Sequence, residues 1–260
     1  MTNKLNEFSL DFFSLAGKVA IVTGGNKGLG QGYAVALAKA GADLFVVTHG
    51  DEWDETRALI EQQGRRVEFF QADLTDREKV KKLVAKCQEV YGQVDILVNN
   101  AGTIRRAPLL EYKAEDWDAV MELNLNSMFF LSQEVAHLMV KQKSGKIINI
   151  ASMLSFEGGK FVPPYAASKH GVVGLTKAFT NELAEHGIQV NAIAPGYVKT
   201  ANTAPIRADE KRNSEILARI PAGRWAEPAD LMGTVVFLAS KASDYMNGSI
   251  IAIDGGWLSR

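Results

Sequence analysis

Seven short runs of β-branched and aliphatic residues recur along this chain, and each is separated from the next by a stretch too long for a hairpin. The runs are 18–23 (KVAIVT), 43–48 (DLFVVT), 66–70 (RVEFF), 94–99 (VDILVN), 146–151 (KIINIA), 188–194 (IQVNAIA) and 250–254 (IIAID). Several lack any alternation of apolar and polar positions, which marks strands covered on both faces. Helical patterns over 29–40, 76–91, 115–142, 164–186 and 228–240 lie between them. Parallel strands need crossovers of a dozen or more residues, and these are right-handed. The expected fold is α/β, a doubly wound parallel sheet of about seven strands with helices on both faces. No linker, repeat or low-complexity tract divides residues 1–260, so one domain is expected, with 1–16 as an N-terminal extension.

Residues 199–224, KTANTAPIRADEKRNSEILARIPAGR, break the rhythm. The stretch is polar and has no strand pattern, and connections of this length commonly serve as lids. A substrate-side insertion is expected there. In the N-terminal segment Phe8, Phe12 and Phe13 are expected to pack on the body or on a neighbouring subunit. Glu7 and Asp11 interrupt that segment, so it does not read as a signal peptide, and no apolar run reaches membrane-spanning length.

The formal net charge is −1, a balance that argues against nucleic acid or a membrane surface as the main partner. Cys87 is the sole cysteine, which excludes an internal disulfide and a cysteine metal cluster. His49, His137, His170 and His186 are scattered without ligand spacing, and nothing calls for a catalytic metal. A reducing, cytoplasmic setting is expected.

TGGNKGLG (23–30) follows the first strand directly and opens the first helix, with Gly24, Gly28 and Gly30 spaced G-x-x-x-G-x-G. Such glycines serve a tight turn, and they also let a pyrophosphate reach backbone N–H groups at a helix N-terminus. The position at the first strand–helix junction points to a nucleotide. The loop then supplies Gly24, Asn26, Lys27, Gly28, Leu29 and Gly30 as cofactor candidates. Asp73, with Leu74, ends the third strand and suits an adenine. Asn100, Ala101 and Gly102 end the fourth, and Asn99 is expected both to tie strands together and to face the ligand. All lie at the carboxyl ends of parallel strands, where open α/β sheets bind ligands.

An acid about twenty residues after the loop would accept the ribose hydroxyls of NAD. The count from Gly28 reaches Thr48, with Asp51 three positions further on. Lys27 is compatible with the extra phosphate of NADP and equally with a solvated charge. These residues leave NAD and NADP both open.

YAASK (165–169) places Tyr165 and Lys169 one turn apart on a helical face. Ser152 follows the fifth strand, and Asn124 sits inside a helical run among Leu123, Leu125 and Phe129. Free tyrosine ionises near pH 10, so acid–base work at neutrality needs a nearby cation to favour tyrosinate. Lys169 and the positive ring of an oxidised nicotinamide are expected to be those cations and to lower the tyrosine pKa.

The glycine loop, NNAG (99–102), Asn124, Ser152, YAASK and APGYVKT (194–200), in that order, resemble the short-chain dehydrogenase/reductase family over nearly the whole chain. The resemblance implies a Rossmann-type NAD(P)-dependent oxidoreductase, with NAD(H) favoured as cofactor. It makes Tyr165 the acid–base, Ser152 the residue that orients the carbonyl, and Lys169 the ribose ligand. Asn124 would support a proton-relaying water, and Pro195, Gly196, Val198 and Thr200 would contact the nicotinamide end. It further implies a homotetramer built on the long helices.

NNAGTIRRAPLLEY, IINIASMLSFEGG, RADEKRNSEILARIPAGRWAEPADLMG and ASDYMNGSIIAIDGGWL resemble, more narrowly, the sugar-acid dehydrogenases of that family. That implies interconversion of a C5 ketone and hydroxyl, on 2,5-diketo-3-deoxygluconate in uronate catabolism or alternatively on gluconate. Arg105, together with Ser152 and Tyr165, is the expected substrate contact, since a guanidinium grips a carboxylate in bidentate fashion. Arg106 is its neighbour candidate, and Arg207, Lys211 and Arg212 in the insertion are expected to close over the same group. Both Arg105 and Arg106 are also compatible with surface or subunit contacts. A non-catalytic nucleotide sensor or scaffold is the alternative of another class. Such a protein would be expected to break Ser152, Tyr165 or Lys169, and all three are present.

Overall fold

The computed structural model describes residues 8–260. Strands β1 (Val19–Thr23), β2 (Asp43–Thr48), β3 (Val67–Gln71), β4 (Ile96–Asn99), β5 (Gly145–Ile150), β6 (Ile188–Pro195) and β7 (Ile250–Ile253) occupy the seven expected runs. They form one sheet in the order β3-β2-β1-β4-β5-β6-β7, every pair parallel. This is a Rossmann-type fold, and the strand order reverses between β1 and β4, which opens a crevice at their carboxyl ends.

The crossovers are α1 (Gly28–Lys39), α2 (Asp54–Glu61), α3 (Arg77–Tyr91), α4 (Ala114–Met121), α5 (Ser127–Gln142) and α6 (Pro163–Leu183). They are followed by α7 (Ala204–Ala208), α8 (Glu210–Arg219) and α9 (Ala229–Ala239). The period-two geometry of a strand sorts its side chains between two cores. Ala20 and Val22 of β1 face Tyr33 and Leu37 of α1 and Leu231 and Val235 of α9. Val19 and Ile21 face the other way, onto Leu83 of α3 and Leu131 and Val135 of α5. Each such fully buried aliphatic side chain stabilises by roughly 1.5–3 kcal/mol, which is why the strands read as unbroken apolar runs.

Three features depart from expectation. The eight-residue α2 carries too short a pattern to stand out in the sequence. The helix expected over 115–142 is broken by a π turn at Glu122–Asn126, where the Ser127 N–H reaches back to the Glu122 carbonyl. The insertion is helical rather than loop, and it has a core of its own. Ile216 and Ile220 pack with Trp225, Trp257 and Met153, the residue after Ser152.

Phe13 packs against Phe237 of α9 with ring centroids 6.4 Å apart, and the Lys241 ammonium lies 4.4 Å from the Phe12 ring centre. Phe8 meets Phe12 edge-on yet is 64% exposed. Residues 1–7 of the expected extension lie outside the described residues. No helix among the described residues is long and apolar enough to cross a membrane.

Tyr33 is fully buried in α1, and its hydroxyl has no hydrogen-bond partner among the described residues. Burial accordingly pushes its pKa far above the usual phenol range. A buried unpartnered polar group costs about 1–3 kcal/mol. Tyr33→Phe should therefore raise stability by about 1 kcal/mol in urea unfolding, and a lower midpoint would show that the hydroxyl contributes favourably.

Candidate active site

At the carboxyl end of β1, Gly24 and Gly28 take φ of +63° and +58°, a region that side-chain-bearing residues avoid. Gly30 is required by contact, since a Cβ there would lie 2.1 Å from the Gly24 carbonyl oxygen. The turn thus brings the N-terminus of α1 against the crevice. Lys27, the N-cap residue, makes no side-chain cap, so the first-turn N–H groups remain donors for an anion. Gly24 through Gly30, apart from Gly25, line a single cleft of about 1600 Å³. Pockets for one drug-sized ligand run to about 1,000 Å³, so this cleft has room for a dinucleotide and a second molecule.

The remaining cofactor candidates converge on the same cleft: Thr48, Asp73, Leu74, Asn100, Ala101 and Gly102 on one side. Pro195, Gly196, Val198 and Thr200 line the other. Asp73 Oδ1 accepts from the Thr75 N–H at 3.0 Å and hydroxyl at 2.8 Å, and these bonds hold its carboxyl below the usual range. The Thr48 hydroxyl donates to the Gly50 carbonyl at 2.6 Å. Glu52 lines the cleft and Asp51 does not.

Asn99 does only one of its two expected jobs. Its Nδ2 donates to Ser132 Oγ at 2.9 Å and to Asn149 Oδ1 at 2.8 Å, tying β4 to α5 and β5 away from the cleft. Asn100 instead staples β1 to β4, with Nδ2 donating to the Thr23 carbonyl at 2.8 Å.

Asn124 lies within the expected helical run, at its π turn. Buried in the π turn, it accepts from the Thr103 N–H at 2.8 Å and donates to the Thr103 carbonyl at 2.9 Å. It does not line the cleft, and it fixes the loop after Gly102 as a positioning residue.

Ser152 caps a short turn, its Oγ accepting from the Leu154 N–H at 3.1 Å. Ser155, unnoticed in the sequence, donates to the Lys169 carbonyl at 2.7 Å and so fixes this turn on α6. Pro163 begins α6, and two residues later Tyr165 faces the cleft. Burial raises the Tyr165 pKa, opposed by a hydrogen bond with Ser152 and by the charge of Arg106. The expected depression by Lys169 is therefore not found. The Lys169 ammonium lies 5.7 Å from the Tyr165 ring centre and donates to the Ile150 carbonyl at 2.6 Å. Desolvation pulls its own pKa down to about 8.

The arginines also sort differently from expectation. Arg105 lines the cleft but is exposed, with Nε 3.7 Å from Asp116. Arg106 reaches across to the insertion, donating to the Asn202 carbonyl at 3.2 Å. Arg212 lines the cleft, whereas Arg207 and Lys211 do not; Arg207 donates to the Thr200 carbonyl. Glu157, Arg219 and Trp257 form a knot at the cleft wall that no local pattern announces. Glu157 accepts from Trp257 Nε1 at 2.8 Å and from Arg219 at 3.1 Å, and the guanidinium stacks 3.9 Å over the indole. The partners lie 62 and 100 residues from Glu157.

Residues 18–211 match the model of a family described as short chain dehydrogenase. A 2-dehydro-3-deoxy-D-gluconate 5-dehydrogenase of Bacillus subtilis (strain 168) is 57% identical over 250 residues, 96% of this chain and 98% of that protein. A crystal structure from Agrobacterium tumefaciens, provisionally named a 2-deoxy-D-gluconate 3-dehydrogenase and holding NADP, is 49% identical with a TM-score of 0.90. It covers 95% of this chain and 99% of that one. A structure from Beutenbergia cavernae, provisionally named an NAD(P)-dependent gluconate 5-dehydrogenase and holding NADP at low occupancy, is also 49% identical. Its TM-score is 0.91, over 95% of this chain and 99% of that one.

The buried Lys169 has a measurable signature. Its pKa of about 8 lies below the 10.4 of an unfolded lysine, so between these values the unfolded chain holds more protons. Stability therefore rises with pH across that window, as the penalty for burying the charge is relieved. Relative to Lys169→Met, wild-type unfolding free energy should climb by on the order of 1–3 kcal/mol from pH 8 to 10.4. A flat difference between the two proteins would place the ammonium in solvent.

Proposed function

This chain belongs to the short-chain dehydrogenase family, and from that premise we propose that it reduces the C5 ketone of 2,5-diketo-3-deoxygluconate to 2-keto-3-deoxygluconate, or runs the reverse. A nicotinamide dinucleotide in the cleft supplies or accepts the hydride. Tyr165 gives the proton to the C5 oxygen, and Ser152 holds that oxygen by a hydrogen bond. Lys169 takes the ribose. The glycine loop takes the pyrophosphate, Asp73 and Leu74 the adenine, and Pro195, Gly196, Val198 and Thr200 the nicotinamide end. Asn124 keeps its part in catalysis indirectly, through the Thr103 loop.

The observation that carries the reading is the convergence of Ser152, Tyr165 and Lys169 with the glycine loop on one cleft, in a chain 57% identical to the Bacillus enzyme. Tyr165 is protonated at neutrality, the form from which reduction starts, although its raised pKa makes it a weaker acid. Oxidation of gluconate at C5 is the second reading, favoured by the likeness to the Beutenbergia protein.

NADP(H) is proposed to serve alongside NAD(H). Lys27 lines the cleft while Asp51 does not, and NADP occupies the Agrobacterium relative. We further assign residues 1–260 to one catalytic domain working in the cytoplasm as a homotetramer. Half-buried Val173, Leu175 and Phe179 on α6 suit a subunit contact.

Absorbance of NADH and NADPH with the diketo acid, and of the oxidised cofactors with D-gluconate, tests the assignment. Tyr165→Phe should lower kcat by about 10²–10⁴-fold with cofactor affinity within twofold of wild type. Turnover of gluconate alone moves the substrate to the second reading. Full activity in Tyr165→Phe would remove the acid–base role.

A further inference from the structure

A carboxylate on the wall of a cleft that takes an anionic substrate would repel it unless something neutralises that charge. Glu157 is such a carboxylate, on the loop between Ser152 and Tyr165. Arg219, the last residue of α8, donates from one nitrogen to both its oxygens, at 3.1 and 3.3 Å. Trp257 Nε1 adds a third hydrogen bond at 2.8 Å, and the guanidinium lies 3.9 Å over the Trp257 ring centre. Each of the three side chains therefore touches the other two, and the acid reaches the cleft already paired.

The helix that carries Arg219 needs such a tie. α8 has 10 residues, and Ile216 alone among them is buried. Isolated helices shorter than about 12–15 residues are marginal in water, so tertiary contacts decide whether α8 stays formed and seated. Ile216 joins the cluster of Met153, Trp225 and Trp257, and Asn213 accepts from Trp225 Nε1 at 2.8 Å. Arg219 holds Glu157 from the last turn, where Arg260 donates to the Arg219 carbonyl at 3.1 Å. Arg212, Glu215, Ile216 and Arg219 of α8 line the cleft, so the seating of this helix sets the shape of its substrate end. The loop opposite has two separate anchors. Ser155 fixes it to α6 through the Lys169 carbonyl, and Glu157 fixes it to α8.

We propose that Glu157 is a positioning residue which, through Arg219 and Trp257, locks α8 against the Ser152 loop and so preforms the substrate end of the cleft. The proposal rests on the sugar-acid reading above. It assigns Arg219 to Glu157 and not to the substrate. A neutral residue at 157 would cost Arg219 its anchor and loosen α8. Loss of Arg219 would loosen α8 and also leave a bare carboxylate facing an incoming anion, which is the worse defect. Removing one partner of a partly buried ion pair costs more than removing both, because no uncompensated charge is left behind.

Hydrogen exchange of the full-length protein, read by mass spectrometry, tests the lock without turnover. Glu157→Gln should speed exchange of the α8 amides about tenfold and leave those of α1 and α6 within about twofold. In steady state with the diketo acid and NADPH, Glu157→Gln should raise KM about fivefold and Arg219→Met about tenfold or more. Their kcat should stay within about twofold of wild type, since Ser155 still holds the Ser152 turn. The double variant should show a lower KM than Arg219→Met alone. Unchanged α8 exchange in Glu157→Gln, equally faster exchange in α1 and α6, or a double variant as impaired as Arg219→Met would each overturn the proposal. So would a lower KM in Glu157→Gln, which would mean that Glu157 competes with the substrate for Arg219. Faster α8 exchange in a protein that turns over neither the diketo acid nor gluconate would support the lock and sink the sugar-acid reading. Turnover of the diketo acid with α8 exchange indifferent to Glu157 would do the opposite.

Discussion

The site depends on the junction of β1 and β4. The Thr23 hydroxyl accepts from the Asn100 and Ala101 N–H groups, both at 2.9 Å, and Asn100 Nδ2 returns to the Thr23 carbonyl at 2.8 Å. These bonds hold together the two strands at which the sheet order reverses. The glycine loop packs directly on the junction, because a Cβ at Gly30 would lie 2.5 Å from Asn100 Nδ2. Loop, crevice and sheet therefore share one set of contacts, and movement at Thr23 would move the anion cradle and the cleft floor together.

From that junction the catalytic side is built by a chain of short polar contacts. Asn124 fixes Thr103 and donates to Ser168 at 3.3 Å on α6, the helix that carries Tyr165 and Lys169. Ser155 fixes the Ser152 turn to the same helix. The π turn is part of this arrangement, since it places Asn124 where both partners are in reach. Burial along this route has an electrostatic consequence. With little water around them, Tyr165 and Lys169 both shift toward their neutral forms, which favours a phenol that keeps its proton.

The insertion contributes a wall rather than a loose cover. Its Ile216 and Ile220 cluster with Trp225, Trp257 and Met153, so the insertion and the Ser152 turn share an apolar core. The Glu157–Arg219–Trp257 knot adds a polar connection between the same elements. Substrate-side geometry is consequently coupled to the C-terminal segment, far away in sequence.

The seven strands, the glycine loop and the order Asn124, Ser152, Tyr165, Lys169 were legible in the sequence because each rests on local periodicity or on spacing within one turn. Short α2 was not, because eight residues give too little pattern. The fate of individual charges lay beyond local reading as well. That Arg105 meets Asp116 while Arg106 does not, that Asn99 is spent on Ser132 and Asn149, and that burial outweighs Ser152 and Arg106 at Tyr165 all depend on distant groups. The sequence by itself determined the sheet, the glycine turn at its reversal point and the candidates proposed for the cofactor and the proton. The tertiary structure alone decided which polar groups remain unspent and how far each is desolvated, since both follow from neighbours that only folding brings together.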